Sequence, residues 1–176
     1  MANREALREL QTRLASRLQA ARSEGLSASW LAVRAGEANY LFPLAQSGEI
    51  FPLSGVQAVP YARPWFMGVI NLRGGLYGVV DLAGFTGNGP ARGRTEQSFA
   101  ESSVVTFNAA LELNCALMVD GLAGLRKQES FSTVAPASEG ASAYLGRRFI
   151  DLHGAQWQEI NLQALSQLPE FLCIGA

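Results

Sequence analysis

The sequence predicts an all-β fold of two small barrels, with one helix added at the N-terminus and a short helix near the C-terminus. Short apolar runs recur every ~8–12 residues with turn-forming residues between them, a spacing typical of sandwiches and barrels. The runs form two groups of five, and a glycine-rich connection over residues 85–102 separates the groups. Helical periodicity is confined to the two ends of the chain.

The N-terminal residues have the pattern of an amphipathic helix over 3–24. Charged residues occupy most of its faces, and Gly25 is a stop signal. Its leucines recur at three- and four-residue spacing: Leu7, Leu10, Leu14 and Leu18. Such a helix either packs on its own domain or extends from it as a docking or pairing helix, and the sequence leaves both arrangements open.

Five strands are predicted before the connection. Turn signals such as Ala35-Gly36-Glu37 separate the early strands. Pro60 and Pro64 exclude a helix between the third and fourth strands and favour a rigid crossing loop. The predicted strands are Trp30–Arg34, Asn39–Pro43, Glu49–Leu53, Phe66–Leu72 and Leu76–Leu82.

Five more strands are predicted after the connection. Asp120-Gly121 is a strong tight-turn pair, whereas Ser130–Ala143 is rich in serine and alanine and is predicted to be a loop. Asn161 stands where it can cap a short helix over Leu162–Leu168. The predicted strands are Val104–Phe107, Leu111–Val119, Leu122–Arg126, Phe149–Leu152 and Trp157–Ile160.

The composition is that of a globular protein without a strong electric field. Of 176 residues, 48% are hydrophobic, and 14 basic against 15 acidic residues give a net charge of −1. This balance argues against nucleic acid and anionic membranes as partners. Because no 18-residue apolar stretch or signal-peptide pattern occurs, we expect a cytoplasmic protein without direct membrane insertion. Cys115 and Cys173 stand alone in apolar segments, and we expect both to be reduced core residues.

The residues give little sign of catalysis. His153 is the sole histidine and precedes Gly154 in a predicted turn, so a Ser-His or Cys-His catalytic pair would depend on it alone. Asp81 and Asp120 each follow a valine-rich strand, where an aspartate more often accepts backbone N–H bonds than acts as a catalytic acid. One histidine and two distant cysteines do not make a usual zinc site. We therefore predict no enzyme activity, no metal and no cofactor.

The segment Arg73-Gly74-Gly75 lies between two apolar strands that both look buried, and it carries a single charge, that of the arginine. This segment lacks the Gly-Lys-Ser/Thr ending of a phosphate-binding loop, and one RGG in a chain of net charge −1 is not an RNA-binding tract. A hairpin turn remains, whose glycines permit positive φ. Its arginine keeps its charge and either pairs within its own barrel or recognises a protein partner. The chemistry alone leaves both roles open.

The segment around this turn resembles the signature of CheW-like domains, the coupling modules of bacterial chemosensory arrays. Farther along, Ala116–Lys127 resembles the family's second-lobe segment, and Glu49-Ile50 matches its frequent Glu-Ile in the third strand. The resemblance covers about Trp30–Leu168. Within Val59–Gly87 the matching positions are Val59, Pro60, Pro64, Phe66, Gly68, Asn71, Arg73, Gly74, Val80, Asp81 and Leu82.

Three positions depart from the family pattern. Gly78 stands where proline is usual, and Gly75 adds a second glycine after the arginine. Ser47-Gly48 replaces the usual Val-x before Glu49, and the glycine is expected to affect the register of the third strand.

The resemblance implies two SH3-like five-stranded β-barrels. It places a helical extension at 1–28, a CheW-like domain at 29–170 and a tail at 171–176. Within the domain it implies a first lobe at about 29–84, a linker at 85–102 and a second lobe at about 103–168.

The resemblance also implies a non-catalytic adaptor that binds a CheA-type histidine kinase and the cytoplasmic tip of a chemoreceptor, at membrane-associated receptor arrays. A lone domain with an N-terminal extension is similar to PilI-type adaptors of the type IV pilus system, which serves twitching motility. The extension would add helix-mediated self-association or array assembly. An ion pair between Glu49 and Arg73 is implied beside the receptor groove. The implied partner-binding residues are Glu49, Ile50, Asn71, Arg73 and Gly74.

A β-barrel that binds a small ligand or an oligonucleotide is the alternative class. A basic and aromatic face would serve it, formed by Tyr61, Arg63, Trp65 and Arg73. The balanced net charge speaks against this alternative.

Overall fold

The structure is a computed structural model that describes residues 2–23, 30–89 and 94–176. Its helices within these ranges are α1 (Ala2–Ser23), α2 (Leu82–Thr86), α3 (Glu96–Glu101), α4 (Leu162–Ser166) and α5 (Pro169–Leu172). Short 3-10 turns cover Ala109–Leu111 and Gln128–Ser130. None of the helices described is long and apolar enough to span a membrane.

The strands account for most of the remaining ordered backbone. Before α2 they are β1 (Trp30–Ala35), β2 (Ala38–Pro43), β3 (Ser47–Pro52), β4 (Phe66–Leu72) and β5 (Gly75–Asp81). After α3 they are β6 (Ser103–Phe107), β7 (Cys115–Val119), β8 (Gly121–Arg126), β9 (Phe131–Ala135), β10 (Leu145–Asp151) and β11 (Gln156–Ile160). The predicted all-β fold with terminal helices is confirmed.

The strands form one six-stranded and one five-stranded sheet. The six-stranded sheet has the order β8-β1-β2-β11-β10-β9, and the five-stranded sheet has the order β3-β6-β7-β5-β4. Each sheet therefore takes strands from both sides of the linker, which differs from the expected division into lobes at 29–84 and 103–168. Four pairs make these exchanges: β2 with β11 and β5 with β7 are parallel, and β1 with β8 and β3 with β6 are antiparallel. Turn signals between neighbouring strands do not encode such long-range pairs, so the sequence grouping missed them.

Three local predictions need correction. Strand β9 lies inside the segment 130–143 that was predicted to be a loop, and it adds the sixth strand to its sheet. Helix α3 lies in the linker, where an irregular connection is predicted, and α2 runs into its start from the end of the predicted fifth strand. Residues 90–93 of the linker lie outside the described residues. The strand predicted to begin at Leu111 begins at Cys115, because Asn108 caps a 3-10 turn there by accepting a hydrogen bond from Ala110 N–H.

The C-terminal helix and tail are fixed to the domain. Asn161 caps α4, and its Oδ1 accepts from Ala164 N–H at 3.0 Å, as predicted. After α5 the tail pairs with the crossing loop: Arg63 N–H donates to the Ile174 carbonyl at 2.8 Å, and Ala176 N–H donates to the Tyr61 carbonyl at 2.9 Å. Residues 174–176 thus form a strand-like edge along residues 61–63, between the two prolines.

Helix α1 packs on the domain. Leu14 and Leu18 are buried in the largest core cluster, which includes residues of both sheets. The Gln11 amide donates to the Ser103 hydroxyl at 2.6 Å inside the protein. Gly25, the predicted stop signal, lies outside the described residues.

The two cysteines differ in burial, and the prediction that Cys173 is a core residue was wrong. Cys115 is buried, and burial raises the pKa of its thiol to about 12. Cys173 is free and exposed, because it follows the last turn of α5 at the surface.

Candidate functional site

The hairpin between β4 and β5 sets the position of Arg73. Leu72 pairs with Gly75, which leaves a two-residue turn of Arg73 and Gly74. Their φ angles are +49° and +81°, as a type I′ turn requires. Asn71 shapes the same turn, because its side-chain Oδ1 accepts from Gly74 N–H at 3.0 Å. The hairpin turn predicted from the sequence is therefore present.

An arginine is a costly choice in this turn. The left-handed region costs a residue with a Cβ roughly 1–2 kcal/mol, and glycine, asparagine or aspartate normally occupy such positions. Strained residues of this kind concentrate at functional sites. A physical reason for Arg73 is therefore to be sought in what its side chain contacts.

Arg73 forms the ion pair with Glu49 that the resemblance implies. Nη2 of Arg73 lies 2.9 Å from Oε2 of Glu49, and the two side chains are 72% and 51% exposed. The guanidinium also lies over the Phe51 ring, 5.8 Å from its centroid. An exposed pair contributes only about 0.2–1 kcal/mol to stability. The ion pair hardly offsets the free energy that the left-handed backbone at Arg73 costs. Stability alone therefore does not explain why an arginine occupies this turn.

A β-bulge in β3 positions Glu49. The register between β3 and β6 shifts between Ser47 and Ile50. At the bulge, Glu49 N–H donates to the Thr106 hydroxyl at 2.7 Å instead of to a backbone carbonyl. The expected effect of Gly48 on this strand is thus seen, and it leaves the carboxylate of Glu49 within reach of Arg73.

The five predicted partner-binding residues lie near one another but play different parts. Glu49 and Arg73 are exposed, whereas Asn71 and Gly74 form the turn. Ile50 is 7% exposed and belongs to the main core cluster, so its side chain is not offered to a partner. In this structure Ile50 lies on the inner face of β3, and its part in partner binding stays a prediction.

The sequence prediction missed one exposed apolar side chain beside the turn. Leu76 is 62% exposed and pairs across the hairpin with Asn71. Cross-strand partners project from the same face of a sheet. We call the surface formed by Glu49, Phe51 and Arg73 the Arg73–Glu49 site. It combines an exposed ion pair with apolar area, the composition found at protein interfaces.

A second charged cluster, which the sequence did not predict, holds the linker. Arg94 donates to both carboxylate oxygens of Asp81, at 2.8 Å and 3.3 Å, and to Oδ1 of Asp120. Asp120 also accepts from Gly36 N–H at 2.6 Å. The predicted role of a strand-end aspartate was therefore right for Asp120, with a distant backbone N–H as donor, but Asp81 binds an arginine.

This cluster is structural. Asp81 is fully buried, and the Arg94 side chain is nearly so. Burial alone would lower the pKa of Arg94, but hydrogen bonds and charge attraction from the two aspartates raise it overall. His153 lies in the β10–β11 turn, where its backbone N–H donates to Asp151. Among the described residues, no group of three or more His, Cys, Asp or Glu is placed to hold a metal ion.

The basic and aromatic face of the alternative class lacks the full contribution of its tryptophan. Trp65 packs edge-on against Phe85 at 5.1 Å and parallel to Phe171 at 6.3 Å, and is therefore partly buried against the core. Nε of Arg63 donates to the Cys173 carbonyl. Nucleic-acid bases would need exposed rings to stack on; Tyr61, which is 90% exposed, offers one, but Trp65 does not stand beside it as a second exposed ring.

Comparisons with known proteins agree on one family. The family model of the CheW-like domain matches residues 29–170. Protein PilI of Pseudomonas aeruginosa is 29% identical over 169 residues, which cover 93% of this chain and 89% of PilI. The crystal structure of the scaffolding protein TtCheW from Thermoanaerobacter tengcongensis has the same fold, with a TM-score of 0.62 and 18% identity, over 77% of this chain and 89% of TtCheW.

Proposed function

Because the chain belongs to the CheW-like domain family, we propose that it is an adaptor in bacterial chemosensory signalling. It couples a methyl-accepting chemoreceptor to a CheA-type histidine kinase and performs no catalysis itself. The similarity to PilI over 93% of the chain supports the type IV pilus system, and thus twitching motility, as its output. The adaptor acts in the cytoplasm, at receptor arrays on the membrane.

The exposed Arg73–Glu49 pair is the observation that carries this proposal. The turn keeps an arginine where the backbone is strained, and the pair gives little stability in return. Its energetic value rises when a partner excludes water from it. Phe51, which lies under the guanidinium, supplies apolar area that a protein partner would cover.

The two partners use different surfaces. The receptor's cytoplasmic tip binds at the Arg73–Glu49 site, and the kinase binds at the ends of the sheets, as the family resemblance implies. Arg73 contacts the receptor tip directly, and Glu49 holds the guanidinium in position for it. Asn71 and Gly74 contribute by fixing the turn rather than by contact.

Reconstitution tests this function. The purified chain is combined with the CheA-type kinase and the cytoplasmic fragment of a methyl-accepting receptor from the same bacterium, and kinase autophosphorylation is followed with radiolabelled ATP. We expect the adaptor to change the rate and to bring receptor and kinase into one complex. An unchanged rate, together with no co-sedimentation of the two partners, would contradict the proposed function.

A further inference from the structure

Helix α1 lies across the junction between the two sheets. It packs against β3 and β8, which are the end strands of the five-stranded and six-stranded sheets respectively. The end strand of a sheet carries unpaired backbone groups and is a natural binding edge. We call the groove between these two strands the seam. In this structure α1 fills it.

Few side chains attach α1 to the seam. Leu14 and Leu18 supply the fully buried apolar contact, one helical turn apart. Before Leu14, the buried residue on this face of the helix is Gln11, whose side-chain amide donates a hydrogen bond to the Ser103 hydroxyl. When the helix leaves, both polar groups can bond to water, so this contact adds little net stability. Leu10, one turn before Leu14 at the edge of the same stripe, is 48% exposed and adds only partial contact.

The seam is continuous with the Arg73–Glu49 site. Glu49 and Ile50 are consecutive residues of β3: the first faces Arg73, and the second lies in the core cluster that contains Leu14 and Leu18. The seam therefore begins one residue away from the Arg73–Glu49 site, and both border the same short strand.

The comparisons support a distinct role for α1. The family model begins at residue 29, after the helix. The match to PilI covers 93% of this chain, so the unmatched part is shorter than the 22 residues of α1. At least part of α1 therefore lies within the match. The helix is therefore an addition to the CheW-like domain that PilI at least partly shares.

We propose that α1 is a displaceable occupant of a helix-binding groove. The seam fits an amphipathic helix that presents two apolar side chains one turn apart, with a polar group on the same face. In the free protein α1 occupies it, and in the complex a helix of the receptor tip replaces α1. This inference rests on the proposed function. It adds a cost to receptor binding, because only the fraction of molecules with α1 released is competent.

Hydrogen–deuterium exchange on the unmodified full-length chain tests the displacement. Exchange of α1 amides is compared with and without a saturating concentration of the receptor's cytoplasmic tip fragment. We expect α1 amides to exchange at least ~tenfold faster in the complex, while amides of β1 and β7 stay protected. Unchanged or slower exchange in α1, with the fragment bound, would overturn the proposal and leave the proposed function intact.

Substitutions provide an independent test. The double variant Leu14→Asp, Leu18→Asp should release α1 and tighten binding of the tip fragment at least ~tenfold. The matched control Ser16→Asp places a charge on the exposed face of the same helix and should leave the affinity unchanged. Gln11→Ala should tighten binding by a smaller factor.

Folding of each variant is checked by circular dichroism and thermal unfolding. If the double variant does not fold, the exchange experiment on the unmodified chain decides. Weaker or equal binding by a folded double variant would also overturn the displacement. If neither the unmodified chain nor the folded double variant binds the fragment, the proposed function itself fails.

Discussion

Gly48 faces the Thr106 hydroxyl so closely that a Cβ at position 48 would lie 2.0 Å from Oγ1. The carbonyl oxygens of Thr106 and Phe107 lie within 2.8 Å of the same point. A side chain is therefore excluded, and β3 bulges so that Glu49 N–H reaches the Thr106 hydroxyl. The bulge of β3 and the position of the Glu49 carboxylate depend on this glycine.

Gly48→Ala should destabilise the protein and disturb the Arg73–Glu49 site. Overpacking of this kind costs roughly 1–3 kcal/mol, which for a chain of this size lowers the thermal midpoint by roughly 2–12 °C. Thermal unfolding measures the effect. Gly121→Ala is the matched control, because no atom lies within 4 Å of its added Cβ, and it should change little. Equal midpoints for the two variants would contradict the account of the bulge.

Arg94→Met should be strongly destabilising. The methionine keeps most of the apolar stem but leaves the buried carboxylate of Asp81 without its partner. Breaking a buried pair in this way costs about 3–5 kcal/mol, which urea unfolding can measure. Adding Asp81→Asn should recover part of the loss, because the buried charge is then removed. A loss below ~0.5 kcal/mol, as is usual for surface substitutions, would show that the cluster does not hold the linker.

Asp151 should make the stability of the protein sensitive to acid. A hydrogen bond from the Trp157 indole, with smaller contributions from the backbone N–H groups of Ala155 and His153, lowers the pKa of this carboxyl. A lowered pKa means that the charged form is stabilised by folding, so the contribution is complete above the unfolded value of about 3.9. It is lost as pH falls through the folded value.

Unfolding free energies of the wild type and Asp151→Asn, measured from pH 7 to pH 2, check this prediction. We expect the variant to be less stable at pH 7, and the difference to shrink below pH ~4 as the wild-type carboxyl is protonated. A difference that stays constant over the whole range would contradict the role of the ionised carboxylate.

Local sequence patterns predict much of this fold. Most strands are short apolar runs between turn residues, and Asn161 is recognisable as the N-cap of α4. They fail for β9, because only Phe131 of its five residues is buried and no apolar alternation marks the strand. They also fail for Arg94, whose partners Asp81 and Asp120 end two different strands. Contacts between distant segments leave no local pattern.

The features of the candidate site also fall into two groups, those that local sequence patterns predict and those that they do not. The turn at Arg73 follows from its glycines, but the pairing with Glu49 came from the family resemblance rather than from periodicity. Leu76 was counted as buried because its strand is apolar, and the exposure is a consequence of its place at the hairpin end. The attachment of α1 through Gln11 and Ser103 spans 92 residues, which no sequence pattern shows.

The pair at the Arg73–Glu49 site should behave as a unit toward the partner. Glu49→Ala and Arg73→Ala should each weaken receptor-tip binding, and the double variant should lose less than the sum of the two. Strict additivity in this double-mutant cycle would contradict the pairing. In the charge swap Glu49→Arg with Arg73→Glu, we expect no recovery of binding, since Arg73 contacts the partner directly. Recovery would mean that the pair only shapes its own surface.

The affinity of Arg73→Ala for the receptor's cytoplasmic tip fragment tests the central claim most directly. Truncation of a hot-spot arginine costs about 2 kcal/mol or more, so we expect the dissociation constant to rise at least ~30-fold. The thermal midpoint should stay near that of the wild type, because the side chain is 72% exposed. Arg148→Ala, which removes an exposed arginine from the other sheet, should bind normally. Normal binding by a folded Arg73→Ala protein would contradict the account.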